Sequence, residues 1–175
     1  ILKKENYKYC RDNFINSMDI ITADGGIDVS SDFNKQEKLV SKLIVAEIIY
    51  AVTMQKKGGC FILKIFDIFS KLTVDILYLL SCLYDEVYVT KPNTSRLANS
   101  EKYIVCRNFL LEDSSNLYNA FYREFSKAHK EYNDNFKEQM EKLMTLSVST
   151  LAGMKSLRQL PTTFILLLQP GIFIL

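Results

Sequence analysis

Short apolar runs alternate with longer stretches of helical spacing along the first hundred residues of the chain. Residues 18–23 form a β-branched run that stops at an Asp-Gly-Gly sequence, which predicts a buried strand ending in a tight turn. Residues 60–66 are almost continuously apolar, as expected for a parallel strand covered on both faces, and Lys64 is their one charge. Residues 87–89 and 102–107 predict two further strands.

Two amphipathic helices are predicted between these strands. Asn34 and Glu37 have the spacing of an N-cap and its capping-box partner, and the helix that they begin is expected to end at Gly58 and Gly59. Ser70 is the expected cap of the second helix. The predicted buried faces are Val40, Leu43, Ile44, Ile48, Ala51 and Val52 in the first helix, and Leu72, Ile76, Leu79, Leu80 and Leu83 in the second.

Beyond residue 109 the pattern becomes helical and then apolar. Apolar residues from Leu117 to Met144 recur at helical spacing among many charges, which predicts one long or two consecutive amphipathic helices to about Leu151. Residues 164–168 and 172–175 are apolar, but neither run approaches the roughly 20 residues needed to cross a bilayer. We interpret this tail as a packing segment and expect no membrane association.

The alternation of strands and helices predicts an α/β fold with a mainly parallel sheet, and such sheets bind ligands at the carboxyl ends of their strands. Asp24 and Lys64 both lie at such ends. An ammonium in a buried strand is costly unless it is paired, so the two residues are candidates for one site. The structural alternatives are a lysine that reaches solvent or makes an ion pair, and an aspartate that only serves the turn. Glu101 is, on its own, only an exposed acid.

Composition narrows the candidate chemistry. The chain has 22 Lys and Arg against 20 Asp and Glu, a net charge of +2. Because this net charge is small, any binding of nucleic acid must come from a local basic patch. The four cysteines lie far apart and form no C-x-x-C pair, and we interpret them as reduced thiols. The one histidine, His129, lies in a charged helical stretch, so we expect no metal site.

Three blocks of sequence resemble a known family. Residues 18–28, 58–67 and 91–107 are similar, in matching order, to the second half of FtsJ/RrmJ-type ribose 2'-O-methyltransferases. The likeness is greatest to the cap-specific messenger RNA members and covers about residues 1–108. Its most specific part is the loop Lys-Pro-x-x-Ser-Arg-x-x-Asn-Ser-Glu-x-Tyr, which begins at Lys91.

The resemblance implies a fold and a reaction. The fold would be Rossmann-like, with a last strand that is antiparallel and lies beside the strand carrying Lys64. The reaction would be methyl transfer from S-adenosylmethionine to a ribose 2'-hydroxyl of RNA. The likeness to the cap-specific members implies that this RNA is the messenger RNA cap. The family uses a Lys-Asp-Lys-Glu tetrad, of which Asp24, Lys64 and Glu101 would be three members. Ala23, Asp24 and Gly25 would contribute to the cofactor site.

The loop at residues 91–100 is the candidate RNA contact. Lys91 and Arg96 would contact phosphates, and Ser95 and Asn99 would be hydrogen-bond partners, with a merely solvated loop as the alternative. A second hypothesis for the whole chain is a non-catalytic descendant that keeps the fold to bind RNA or a protein partner.

The family's first lysine and its glycine-rich cofactor loop lie upstream of the Asp-Gly-Gly block, whereas the first glycine here is Gly25. The resemblance therefore implies that residues 1–109 are the C-terminal half of the domain, with the N-terminal half as a missing partner. Residues 110–175 would be a helical extension and an apolar tail. We expect the isolated chain to bind cofactor weakly and to be inactive. Many Lys, Ile and Asn residues suggest a large cytoplasmic virus, hence a cytoplasmic location, or a nuclear one for a cellular protein.

Overall fold

The structure, a computed structural model, describes residues 1, 3–26, 36–96, 98–130, 165–168 and 171–174. One six-stranded sheet, in the order β1-β2-β4-β3-β5-β6, organises these residues. The elements are α1 (Lys4–Phe14), β1 (Met18–Ala23), α2 (Gln36–Met54), β2 (Gln55–Ile65), α3 (Lys71–Leu83), β3 (Tyr84–Thr90), β4 (Lys102–Phe109), α4 (Ser115–Lys130), β5 (Ile165–Leu168) and β6 (Gly171–Ile174).

The predicted α/β fold with a mainly parallel sheet is confirmed. β1 is parallel to β2, and β3 is parallel to β5, whereas β4 lies between β2 and β3 and is antiparallel to both. This inserted strand agrees with the expectation drawn from the resemblance. The apolar tail, interpreted only as a packing segment, instead contributes β5 and β6, and β6 is a second antiparallel strand.

The strand predicted at residues 60–66 is parallel to β1, as expected, but one of its faces is less covered than expected. β2 has a parallel neighbour on one side only, because β4 runs antiparallel on the other. Its alternate residues Phe61, Leu63 and Ile65 are at most 1% exposed, but Ile62 and Lys64 are only partly buried. Lys64 therefore lies on the less covered face, where an ammonium is easier to accommodate.

The first long helix ends four residues before the predicted glycine stop. The N–H groups of Asn16 and Ser17 donate to the carbonyls of Thr53 and Met54, at 3.1 and 2.9 Å, and so satisfy the end of α2 early. The next residue, Gln55, is fully buried and starts β2. Helix termination thus depends on contacts with a segment far away in sequence, which local glycine signals do not contain.

The two glycines expected to stop the helix lie inside β2 instead. The register between β1 and β2 shifts between Met18, which pairs with Gln55, and Ile20, which pairs with Cys60. Gly58 has a φ of +81° within this irregular stretch, a conformation that favours glycine. The glycines therefore allow β2 to bulge against β1 before regular pairing begins.

The buried faces predicted for both helices are confirmed, with every residue of the two sets at most 7% exposed. Ser70 caps α3, since its side chain accepts a hydrogen bond from the Thr73 N–H at 3.1 Å. Asn34, the predicted cap of α2, and the helix predicted between Lys130 and Leu151 lie outside the described residues. Among the described helices, none has the length and apolar character that a membrane span requires.

Candidate active site at the carboxyl edge of the sheet

Asp24 and Lys64 meet where two parallel strands end. Ala23, the last residue of β1, pairs with Leu63, so Asp24 emerges beside Lys64 near the end of β2. The Lys64 ammonium forms an ion pair with Asp24 Oδ1 and lies 3.4 Å from the Asp24 carbonyl oxygen. The structure therefore brings together the two residues that the strand pattern placed at one edge.

The Asp24–Lys64 pair is asymmetric in its exposure to solvent. The Lys64 side chain is 16% exposed, and its ammonium lies 5.8 Å from the centre of the Phe66 ring. The Asp24 side chain is 65% exposed. The ammonium is thus mostly removed from water and is paired with a carboxylate that is itself exposed to solvent. Such an arrangement is suited to orienting a lysine.

Glu101 reaches this edge through Tyr103 and not through a direct contact with Lys64. Tyr103 is the residue paired with Lys64 across β2 and β4. Its hydroxyl donates a hydrogen bond to Glu101 Oε1 at 2.5 Å, and Asn99 Nδ2 donates to Glu101 Oε2 at 3.1 Å. Among the described side chains, Lys64 pairs with Asp24 and makes no ion pair with Glu101.

The pKa of Tyr103 is influenced by both acids of the candidate site, Asp24 and Glu101. The hydrogen bond to Glu101 is the largest cause that raises the pKa of Tyr103 to about 12, and partial burial and the negative charges of Asp24 and Glu101 add to it. The phenol is therefore a neutral donor at physiological pH. Sequence reasoning assigned Tyr103 no role, although residues two apart in a strand point to the same face, which was the available signal.

Glu47 is a second residue that sequence reasoning missed. It lies within the apolar stretch of α2, is 6% exposed, and accepts a hydrogen bond from the Gly25 N–H at 2.9 Å. Burial raises the pKa of Glu47, while the Gly25 hydrogen bond and the charge of Lys64 oppose that rise. No local pattern distinguishes this glutamate, because its partner is 22 residues away.

Gly25 fits this turn because it has no side chain. A Cβ there would overlap Glu47 Oε1 and lie 2.8 Å from Leu43 Cδ2. By contrast, a Cβ on Gly26 would meet nothing within 4 Å. Only the first glycine of the Asp-Gly-Gly sequence is thus required by close packing against α2.

Three of the four predicted RNA contacts make hydrogen bonds that hold the loop at residues 91–100 together. The Lys91 ammonium donates to the carbonyl and side-chain oxygens of Asn99, at 2.8 and 2.7 Å, and to the Glu101 carbonyl at 3.1 Å. Ser95 Oγ donates to Asn99 Oδ1 at 3.1 Å. Since an ammonium has three N–H groups, these contacts occupy Lys91 within the loop. Arg96 is exposed.

A cavity of about 440 Å³ adjoins Glu101 and Tyr103. Its remaining lining comes from the loop: Pro92, Thr94, Ser95, Arg96 and Asn99. The cavity therefore connects the exposed guanidinium to the two residues that lead back to Lys64. Among the described residues, no group of three or more His, Cys, Asp or Glu side chains is arranged to hold a metal ion.

Comparisons with known proteins identify the family of the first 109 residues. A model of the FtsJ-like methyltransferase family matches residues 1–109. Cap-specific mRNA (nucleoside-2'-O-)-methyltransferase 2 of Drosophila melanogaster is 39% identical over 100 residues, which are 57% of this chain and 14% of the fly protein. Cap-specific mRNA (nucleoside-2'-O-)-methyltransferase 1 of Trypanosoma cruzi is 46% identical over 92 residues, 52% of this chain and 25% of that protein.

A solved structure is also similar in part. It is that of a Plasmodium falciparum protein described as a ribosomal RNA methyltransferase, with a TM-score of 0.45, 23% identity, and coverage of 61% of this chain and 54% of that one. The chain spans a quarter or less of the length of the fly and trypanosome relatives. These relatives are cellular, so a viral origin has no support here. With the family model matching well over half of its residues, the chain belongs to the FtsJ-like methyltransferases.

Proposed function

We propose that the protein transfers a methyl group from S-adenosylmethionine to a ribose 2'-hydroxyl of RNA, with capped messenger RNA as its substrate. The observation that carries the proposal is the Asp24–Lys64 ion pair at the carboxyl edge of an FtsJ-like sheet. The names of the relatives supply the substrate class.

Lys64 is the residue proposed to act on the 2'-hydroxyl. Its ammonium has three N–H groups, and two of its described contacts are Asp24 oxygens. One N–H therefore remains to donate to the 2'-oxygen and to hold it in position for the transfer. The hydroxyl proton becomes strongly acidic once the 2'-oxygen has bonded to the methyl group, and water, which reaches this edge because Asp24 is 65% exposed, can then take it.

The residues at the end of β1 fit one side of a cofactor site. S-adenosylmethionine supplies, when bound, an electrophilic methyl group on a positively charged sulfonium. Asp24 offers an exposed carboxylate beside such a charge, and the residues on either side of it, Ala23 and Gly25, are small. Ala23, Asp24 and Gly25 would thus hold the cofactor, and Asp24 would also keep Lys64 oriented.

Arg96 and the cavity next to Glu101 are proposed to hold the RNA. An exposed guanidinium suits a phosphate, and a cavity of about 440 Å³ is within the size range of small-ligand sites, so it can admit a nucleotide. Lys91, Ser95 and Asn99 would then act mainly by fixing the shape of the loop. Tyr103 and Glu101 form the wall between this cavity and Lys64.

The experiment uses the protein expressed from its complete reading frame, capped and uncapped RNA of one sequence, and S-adenosylmethionine labelled in its methyl group. After digestion to nucleosides, mass spectrometry is expected to find label in a 2'-O-methyl nucleoside, and more from capped RNA. Lys64→Ala is expected to lower the rate at least about a hundredfold, the effect of losing the group that positions a reacting atom.

Lys56→Ala is the matched control. Lys56 pairs with Asp19 on the same two strands, but at their opposite end and with both side chains exposed. This variant is expected to keep the wild-type rate. RNA binding without any methyl transfer by the wild-type protein would refute the proposal and favour the non-catalytic descendant. Equal rates for the Lys64 and Lys56 variants would remove Lys64 from the mechanism.

A further inference from the structure

A buried carboxylate, that of Glu47, contacts the backbone next to the Asp24–Lys64 pair. We propose that Glu47 is a positioning residue, which holds the backbone after Asp24 so that both the carbonyl and the carboxylate of Asp24 reach the Lys64 ammonium. Its meaning for catalysis rests on the proposed function, but the coupling between Glu47 and Lys64 does not.

The first support is the direct contact between α2 and the turn. Glu47 Oε1 accepts the Gly25 N–H at 2.9 Å, and the peptide that carries this N–H also carries the Asp24 carbonyl. That carbonyl lies 3.4 Å from the Lys64 ammonium. One rigid peptide group thus connects the glutamate to the lysine, and rotating it away from Glu47 would move the carbonyl relative to Lys64.

The second support is the tightness of the packing. A Cβ on Gly25 would overlap Glu47 Oε1, so the helix and the turn approach as closely as a glycine allows. Glu47 itself is 6% exposed and lies among buried apolar residues of α2. The turn is therefore fixed by a group that has little freedom to move.

The third support is the charge of Glu47. A glutamine would satisfy the Gly25 N–H equally well, and a buried charge is costly unless another charge compensates it. The charges that act on Glu47 come from both strand ends, with Lys64 stabilising its carboxylate and Asp24 opposing it. Lys64 therefore interacts with two carboxylates: it contacts that of Asp24 directly, and its charge stabilises that of Glu47 in α2.

The test follows Lys64 by nuclear magnetic resonance in the protein carrying ¹³C-labelled lysine. The Lys64 Cε signal, assigned by its loss in Lys64→Arg, is recorded from pH 4 to pH 8. In wild type we expect a titration step above the ordinary pKa of a glutamate, because burial raises the pKa of Glu47. In Glu47→Gln this step is expected to disappear, while the Gly25 amide signal stays in place.

Glu112→Gln is the control, since Glu112 is an exposed partner of Lys57 and lies outside the site. It is expected to leave the Lys64 titration unchanged. In Glu47→Ala, exchange of the Gly25 amide hydrogen is expected to accelerate about tenfold or more, because the amide loses a hydrogen bond to a charged group. If Glu47→Ala does not fold, the pH titration of Glu47→Gln still decides the question.

Identical Lys64 titrations in wild type and Glu47→Gln would overturn the proposal, as would unchanged Gly25 exchange in a folded Glu47→Ala. Both measurements are independent of methyl transfer, so a protein without transferase activity would refute the proposed function and leave this inference standing. In an active protein, Glu47→Ala is expected to lower kcat about tenfold with an unchanged KM for RNA. A purely structural role would not give this separation.

Discussion

Tyr103 on β4 is paired with Lys64 on β2, and its hydroxyl donates a hydrogen bond to Glu101 at 2.5 Å. The antiparallel insertion of β4 is what creates this relationship, because it brings the start of one strand to the end of another. Glu101 is therefore joined by a hydrogen bond to the residue that is paired with Lys64, and this bond can be removed without removing either charge.

Tyr103→Phe is expected to lower methyl transfer roughly tenfold and to leave the fold intact. The substitution removes a hydrogen bond to a charged group while it keeps the ring, and such bonds contribute about 1.5 to 3 kcal/mol. Among the described residues, Glu101 would keep its hydrogen bond from Asn99 and would be less fixed beside the cavity. Single-turnover rates with saturating RNA measure the effect.

Tyr88→Phe is the matched control for this change. The Tyr88 hydroxyl donates to Glu86 at 2.9 Å, which reproduces the tyrosine–glutamate pair two residues apart on the adjacent strand β3. We expect no change in rate for this variant. Equal losses in the two variants would mean that Tyr103 acts through general stability and not through Glu101.

The sequence predicts the elements better than the contacts between them. The strand at Met18–Ala23 and the cap at Ser70 follow from local signals, namely a β-branched run before Asp-Gly-Gly and a serine before a helical face. The prediction that this strand is buried is wrong, because its residues are partly buried or exposed, and Ile20 is 67% exposed. The end of α2 was placed too late because Asn16 and Ser17 cap it from outside. Glu47 is not predicted because its partner, Gly25, is set by the packed fold. The spacing of Glu101 and Tyr103 is a local signal, but the pairing of Tyr103 with Lys64 depends on the register of β2 and β4, which no local pattern records.

Gly25→Ala is expected to destabilise the protein by about 1 to 3 kcal/mol, the usual cost of forcing extra volume into a packed site. The added methyl group would overlap Glu47 Oε1 and press on Leu43. Chemical denaturation measures the loss. Gly26→Ala is the comparison, because a Cβ there meets nothing within 4 Å, and its loss is expected to be smaller. Equal losses would contradict the close packing of Gly25 against α2.

Glu47→Gln is expected to gain stability relative to wild type as the pH rises from 4 to 8. Burial raises the pKa of Glu47 above its ordinary value of 4.5, so the neutral form is favoured in the folded state. The stability linked to this shift is present below pH 4.5 and is lost as the pH rises through the folded pKa. Urea denaturation at both pH values measures the difference. An unchanged difference between variant and wild type would contradict the raised pKa.

Arg96→Ala is expected to weaken RNA binding and to reduce its dependence on salt. Arg96 is exposed at the cavity next to Glu101, whereas Lys91 is occupied within its own loop. Loss of one phosphate contact with single-stranded RNA reduces the slope of log affinity against log salt by about 0.7. Fluorescence anisotropy at several salt concentrations measures this slope. Arg107→Ala is the control. Arg107 lies on the far part of β4, where it forms an ion pair with Glu86 of β3, and the salt slope of this variant is expected to match that of wild type. A full wild-type slope for Arg96→Ala would place the phosphate contact elsewhere on the protein.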